Sequence, residues 1–106
     1  MTEAEFNELV NEVFERIEMA LEEAGSDADC DNSGGVMIVE FENDTTMVFS
    51  RQLATQQLWL AARSGGYHFE YEANISDWRC TRSGDLFSKK LKDELKSQAD
   101  TDIESF

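Results

Sequence analysis

Apolar residues in the first quarter of the chain recur at intervals of three and four, the spacing of an amphipathic helix. The repeat comprises Phe6, Leu9, Val10, Val13, Phe14, Ile17, Ala20, Leu21 and Ala24. Acidic residues fill the opposite face, namely Glu5, Glu8, Glu12, Glu15, Glu18, Glu22 and Glu23. Gly25 follows the last apolar position, and a glycine there is typical of a helix end. The pattern therefore predicts a first helix that ends at Ala24, with one apolar and one acidic face.

After Gly34 and Gly35 the period changes from helical to alternating, which is typical of half-buried strands. The apolar series Met37, Val39 and Phe41 pauses at a turn and resumes at Met47 and Phe49. Further strands are predicted over 57–62, 67–72 and 78–81, with turns at 43–44, 64–66 and 74–77.

A second helix is predicted from Leu86 or Phe87 onward, because apolar residues again recur at helical spacing up to Ala99. Ser83 or Asp85 is the expected N-cap, and the polar residues 97–106 are expected to form a frayed tail. The order of elements is therefore helix, five or six antiparallel strands, helix. This order predicts a two-layer α+β fold with both helices on one face of the sheet and the other face in water.

The chain has 106 residues, enough for one small domain, and a formal net charge of −14. Residues 1–31 carry eleven acids against Arg16 alone, so most of the imbalance lies in the first third. Such a surface repels phosphate backbones and anionic lipid, and favours cations or basic protein surfaces as partners. The chain has no long apolar run and opens with acidic residues, so we expect it to be cytoplasmic.

The acidic helix face and the acids of the following loop, Asp27, Asp29 and Asp31, allow two interpretations. The first is simple solubility, and the second is a surface that meets something positive. Carboxylate oxygens suit hard cations. The acids on an open helix face do not converge into a cage, and residues 27–31 lack the glycine and glutamate of a calcium loop. We therefore expect any metal binding to be weak and poorly selective.

The chemistry-bearing residues are few. Cys30 and Cys80 form no CxxC pair, and two thiols cannot hold an iron–sulfur cluster alone. Cys80 lies in an apolar strand and is expected in the core, whereas the acidic loop around Cys30 should raise the pKa of its thiol. His68 is the lone histidine, and no serine or cysteine partner is identifiable, so the chain is not expected to be an enzyme.

Trp59 is expected on the solvent-exposed face of the sheet, because Leu58 and Leu60 take the core positions of the same strand. A different register would instead bury it. If exposed, this large aromatic beside Gln57 is typical of an interface anchor.

The central segment resembles the bacterial members of the frataxin family. Residues 50–61 read SRQLATQQLWLA and residues 64–69 read SGGYHF, against the family patterns N-R-Q-x-P-x-x-Q-[IV]-W-L-A and G-G-Y-H-F. The resemblance extends over essentially the whole chain, including the aspartates before Gly34 and the Arg82-Ser83-Gly84 segment before the last helix. It implies the same fold, with two helices on one antiparallel sheet.

The resemblance implies an iron-linked regulator or iron donor in iron–sulfur cluster assembly, working as a monomer beside the cysteine desulfurase and the scaffold protein. Iron, as Fe²⁺ or Fe³⁺, would bind weakly to the acids of the first helix and first strand, and the protein would carry no cluster of its own. The implied iron ligands are Glu18, Glu22, Glu23, Asp27, Asp29 and Asp31, with Glu3 and Glu42 as weaker ones. The implied partner contacts are Trp59 and Gln57, supported by Arg51 and Gln52, and the helix acids Glu12 and Glu15.

An alternative function in the same family is iron storage and detoxification through iron-dependent oligomers, with weak ferroxidase activity. The sequence also departs from the family pattern. Met19 replaces a second acid beside Glu18, while Ser50 and Ala54 replace the asparagine and proline of the central motif. Because the chain has no proline at all, we expect lower thermal stability.

Overall fold

The structure is a computed structural model that describes residues 1–104 and Phe106. Its elements are α1 (Glu3–Glu23), β1 (Asp29–Ser33), β2 (Val36–Glu40), β3 (Thr46–Gln52), β4 (Gln57–Ala62), β5 (Gly65–Glu72), β6 (Asp77–Cys80) and α2 (Phe87–Ala99). The six strands form one antiparallel sheet in chain order, and both helices pack on one of its faces. The predicted two-layer α+β fold is therefore confirmed. Within the described residues, neither helix is long and apolar enough to cross a membrane.

Local signals at both ends of α1 explain its limits. The Glu5 N–H donates to Thr2 Oγ1 at 3.1 Å, and the Thr2 N–H donates to Glu5 Oε1 at 3.0 Å. This capping box satisfies two backbone donors, and its hydrogen bonds lower the pKa of the Glu5 carboxyl. At the other end Gly25 adopts φ +72°, a conformation that glycine reaches without strain, so the predicted stop at this glycine is confirmed.

The core lies between the two helices and the inner face of the sheet. From α1 it receives seven of the nine residues of the predicted apolar stripe, while Leu9 is only partly buried and Ala24 is exposed. The seven buried residues are Phe6, Val10, Val13, Phe14, Ile17, Ala20 and Leu21. From the sheet it receives Met37, Val39, Met47, Phe49, Leu58, Leu60, Phe69, Trp78 and Cys80. Phe87 of α2 meets Phe69 edge to face at 5.1 Å between ring centroids. Since each large apolar side chain contributes about 1.5–3 kcal/mol on burial, this layer holds the elements together.

The first strand differs from the prediction, which placed the acids after α1 in a loop. Asp29–Ser33 pairs with β2 as an edge strand, with Ser33 opposite Val36. Gly34 and Gly35 have φ of +60° and +83°, and two positive values are what a two-residue hairpin turn requires. Cys30 thus lies in a strand and not in a loop. The segment lacks strand-forming residues, and its pairing with β2 decides its conformation.

The start of α2 also differs from the prediction. Its N-cap is Leu86, which makes no side-chain capping bond, so the assignment of Ser83 or Asp85 as cap was wrong. The Ser83 hydroxyl instead accepts from the Asp85 N–H at 3.2 Å, within the preceding loop.

Residues 97–104 and Phe106 do not form the predicted frayed tail, and Ser105 lies outside the described residues. The helix continues to Ala99, and Gln98 is buried, where its side chain bonds Arg63, Thr45 and Thr46 at 2.8–3.1 Å. Beyond the helix, Ile103 is buried in the core. Phe106 packs against Phe87 with ring centroids 5.7 Å apart, and the Arg16 guanidinium lies 4.3 Å above the Phe106 ring. Ile103 and Phe106 therefore pack back onto the helices, and Phe106 contacts both α1 and α2.

We expect Ile103→Ala to lower the free energy of unfolding by about 2 kcal/mol, because it removes buried methyl groups and leaves a small cavity. Chemical denaturation of the two proteins measures the difference. Glu104→Ala is the matched control, since Glu104 is exposed next to Ile103 in the chain. Equal stability of the Ile103 and Glu104 variants would contradict a packed C-terminal segment.

Candidate acidic ridge and sheet-face site

The acids predicted to bind iron lie along one edge of the molecule. We call Glu18, Glu22, Glu23, Asp27, Asp29 and Asp31 the acidic ridge; all six are exposed. Glu18 and Glu22 are one turn apart on α1, and Asp29 and Asp31 alternate along β1. Asp29 is paired with Glu40 and Asp31 with Ile38, so both aspartates are on the outer face of the sheet.

The surroundings of Cys30 show that the acids of α1 and those of β1 lie close to each other. Its thiol is half-buried on the inner side of β1. Burial raises the pKa of this thiol, and the charges of Glu18 and Asp29 raise it further. The predicted direction of the Cys30 pKa shift is therefore confirmed, although burial is the larger cause. One carboxylate acts from α1 and the other from β1, so the two elements present their acids to a common edge.

The ridge has little positive charge near it. α1 carries no basic residue in its last turn, where a cation would complement the helix dipole. The ion pairs found between described residues involve Glu72, Asp93, Asp100 and Asp102, and none includes Glu18, Glu22 or the three ridge aspartates. Like charges at the negative end of a helix repel each other, so a bound cation or basic surface would relieve this repulsion.

The two weaker iron candidates behave differently from each other. Glu42, in the turn after β2, shares a side-chain hydrogen bond with Asp27, and this bond and the charge of Asp27 raise the pKa of Glu42. Glu42 therefore extends the acidic ridge towards the β2–β3 turn. Glu3 is in the first turn of α1. At 1.5 Å per residue it is about 30 Å from Glu23, too far to share an ion with the acidic ridge.

The ridge is an open surface and not a cage. Across residues 1–104 and 106, no group of three or more histidine, cysteine, aspartate or glutamate side chains converges as a metal site would. A hard cation ordinarily takes six or more oxygen ligands. One held here would keep most of its shell as water, so the arrangement attracts cations through charge more than through fixed coordination.

Trp59 lies on the outer face of the sheet, as predicted, because Leu58 and Leu60 fill the inner face of β4. Its indole stacks on the His68 ring with centroids 4.0 Å apart and planes inclined by 8°. Trp59 Nε1 donates to Gln57 Oε1 at 2.9 Å, and Gln57 Nε2 donates to Glu70 Oε2 at 3.1 Å. The tryptophan is therefore half-buried and held in one orientation.

The two residues expected to support Trp59 fall on opposite faces. Gln52 lies on the outer face opposite Gln57 in the register. Arg51 lies on the inner face, and its guanidinium donates to Asn7 Oδ1 at 3.0 Å and to Asn11 Oδ1. Its placement with the sheet-face contacts was therefore wrong, because alternation along β3 directs it towards α1. Arg51 joins the sheet to the first helix.

The remaining predicted contacts, Glu12 and Glu15, are exposed on α1 before the acidic ridge and extend its charge along the helix.

Sequence reasoning missed His68 as a neighbour of Trp59. The two rings face each other because their residues are paired between β4 and β5. That pairing was implicit in the tight turn between the two predicted strands, which fixes the register.

Comparison with known proteins agrees with the geometry. The frataxin-like domain family matches residues 1–101. The iron–sulfur cluster assembly protein CyaY of Pseudomonas syringae pv. tomato is 43% identical over 104 residues, covering 98% of this chain and 94% of the relative. CyaY of Azotobacter vinelandii is 44% identical over 91 residues, covering 86% of this chain and 83% of the relative.

Solved structures agree as well. Frataxin from Psychromonas ingrahamii superposes with a TM-score of 0.89 at 34% identity, covering 98% of this chain and 97% of that one. A trimeric yeast frataxin, complexed with ferrous iron, has a TM-score of 0.69 at 24% identity over 92% of this chain and 85% of its own, and shows the fold alone. From the family match, the bacterial relatives and the shared fold, we conclude that this chain belongs to the frataxin family, in its bacterial CyaY branch.

Proposed function

We propose that this protein is an iron-binding regulator of iron–sulfur cluster assembly that docks on the cysteine desulfurase in the cytoplasm. The bacterial relatives are iron–sulfur cluster assembly proteins. The observation that carries the proposal is the acidic ridge, an exposed run of carboxylates along α1 and β1 with no basic residue in the last turn of the helix. The negative charge of such a surface stays uncompensated until the surface binds a positively charged partner.

Docking begins with electrostatic attraction. A desulfurase surface rich in arginine would be drawn to the acidic ridge, and association would slow as salt screens the charges. Glu18, Glu22, Asp29 and Asp31 are exposed and belong to none of the ion pairs between described residues, so guanidinium groups of a partner can donate hydrogen bonds to them. The ridge thus brings the partner to one edge of the sheet.

The outer face of the sheet then fixes orientation. Trp59 and Gln57 stand there on β4, and Asp29 and Asp31 stand on the same face at β1. Buried aromatic anchors carry much of the energy of protein interfaces, while charges at the rim mainly set the rate. The proposed partner for this face is the same cysteine desulfurase, docked next to its scaffold protein.

Iron is the proposed cargo of the acidic ridge. Its carboxylates would hold Fe²⁺ or Fe³⁺ weakly, with water completing the coordination shell. A bound cation would partly neutralise the surface that attracts the desulfurase. Iron loading would therefore weaken or redirect docking, which makes regulation responsive to iron.

The protein is proposed to act without catalysing a reaction itself. The ring of His68 is engaged with Trp59, and its side chain makes no hydrogen bond to a serine or cysteine within the described part of the chain. Cys80 is buried in the core. Neither residue is set up as a nucleophile with a base.

Iron storage by oligomers is the competing function. Size-exclusion chromatography during aerobic iron loading separates the two, because a regulator stays at monomer size while a storage protein moves to large assemblies. Growth into such assemblies at physiological iron levels would favour storage.

Neutralising the acidic ridge should weaken docking. For the triple variant Glu18→Gln, Glu22→Gln and Asp29→Asn we expect at least about tenfold lower affinity for the cysteine desulfurase at low salt, and a shallower salt dependence. The loss follows from removing three attractive charges without changing side-chain size. Isothermal titration calorimetry at several salt concentrations measures both quantities.

The matched control is the triple variant Glu72→Gln, Asp85→Asn and Asp93→Asn, which changes the net charge equally but lies around β5 and α2. Its affinity should stay close to that of the unchanged protein. Equal losses in both variants would mean that docking responds to total charge and not to the ridge.

Trp59→Ala should separate docking from iron binding. The ridge is untouched by this change, so Fe²⁺ binding measured anaerobically should be unchanged, while docking should weaken about tenfold or more because an interface anchor is lost. Far-ultraviolet circular dichroism checks that the sheet is intact. Unchanged affinity for both the desulfurase and the scaffold protein would show that Trp59 serves only the fold.

A further inference from the structure

We propose that His68 is a positioning residue for Trp59, holding the indole in the orientation that docks. This inference rests on the proposed docking through the sheet face and assigns a role to a residue that was not among the predicted partner contacts. Two contacts fix the indole: its edge donates to Gln57 at 2.9 Å, and one of its faces lies on the His68 ring at 4.0 Å. An exposed tryptophan without such contacts would sample several rotamers.

No other residue directly paired with Trp59 or with the next outer-face position of β4 carries a ring that could replace His68. Ser50 faces Trp59 from β3, and the next pair along β4 and β5 is Ala61 with Gly66. A Cβ added at Gly66 would meet nothing within 4 Å, so the space beside His68 is open. The indole is therefore covered by a ring on the β5 side, whereas its paired residue on the β3 side is Ser50, whose Oγ accepts from Gln52 Nε2 at 3.5 Å.

This asymmetry decides which face of the indole a partner meets. The face on the β5 side is already occupied by His68, so the face towards β3 is the one available for contact. That side also leads to Asp29 and Asp31 at the β1 edge. The histidine thus turns the tryptophan towards the acidic ridge, so a single partner surface reaches both.

Preorganisation of the Trp59 side chain explains why His68 would raise the affinity of docking. A side chain that is already fixed loses less conformational freedom on binding, and the saving appears as affinity. His68 pairs directly with Trp59 in the β4–β5 register, so the stack costs no distortion of the strands. The role needs only a flat ring at position 68, and this makes it testable by replacement.

The first test observes the indole directly. In ¹H–¹⁵N spectra, His68→Thr should shift and broaden the indole N–H signal of Trp59, because threonine keeps strand propensity but removes the ring. The signal of the buried Trp78 should stay in place. His68→Tyr should restore a sharp Trp59 signal. A Trp59 signal that is equally sharp and unmoved in His68→Thr would overturn the proposal.

The second test measures docking on the cysteine desulfurase and on the scaffold protein. We expect His68→Thr to bind about threefold to tenfold more weakly and His68→Tyr to bind within about twofold of the unchanged protein. Asn74→Ser, an exposed neutral change in the turn between β5 and β6, is the control and should bind normally.

The outcomes distinguish the positioning role of His68 from docking through the sheet face. Normal docking of His68→Thr together with weak docking of Trp59→Ala overturns the positioning role and leaves the sheet-face site intact. Equal weakening by His68→Thr and His68→Tyr also overturns it, since the histidine would then touch the partner itself. Normal docking of Trp59→Ala removes the sheet-face site and the positioning role together.

Discussion

The burial of the apolar stripe of α1 against the sheet is the interaction on which the rest of this structure depends. It fixes the rotation of the helix, and so it also fixes which residues remain outside. Seven buried side chains on one face force the glutamates onto the other. Because β1 runs beside the end of this helix, the same packing sets Glu18 near the aspartates of the edge strand. The acidic ridge is therefore a consequence of how the core is built.

Alternation along the strands likewise decides which side chains face the helices and which lie on the outer face of the sheet. Neighbouring residues of a strand point to opposite faces, so Arg51 joins the first helix while Gln52 stays outside. Leu58 and Leu60 fill the core, and Trp59 between them is left outside. A slip of one residue would exchange these roles and move Leu58 and Leu60 out of the core, so burial of the inner-face residues keeps the register unique.

The sequence was sufficient for the parts of the fold where local pattern and core burial agree. α1, the apolar strands and α2 follow from periodicity, and Gly25 marks a helix end. The pattern failed where distant residues decide. β1 is a strand because β2 lies beside it, and Ile103 is buried because two helices leave room for it. The Leu86 cap likewise depends on the assembled sheet. The inward side of Arg51 could have been predicted, because Arg51 alternates in step with the buried Met47 and Phe49.

The acidic ridge and the sheet face form one continuous surface. Asp29 and Asp31 share the outer face with Trp59, and β1 is three strands from β4. Ser33 is level with Trp59 in the register, so with strands about 4.8 Å apart and about 3.4 Å per residue the backbone of Asp31 is about 16 Å, and that of Asp29 about 20 Å, from the backbone of Trp59. An ordinary protein interface covers about 800 Å² on each partner, which spans both features. Under the proposed function, attraction at the edge and burial at the centre would belong to a single docking event, in which iron on the ridge would alter the first step and leave the aromatic anchor unchanged.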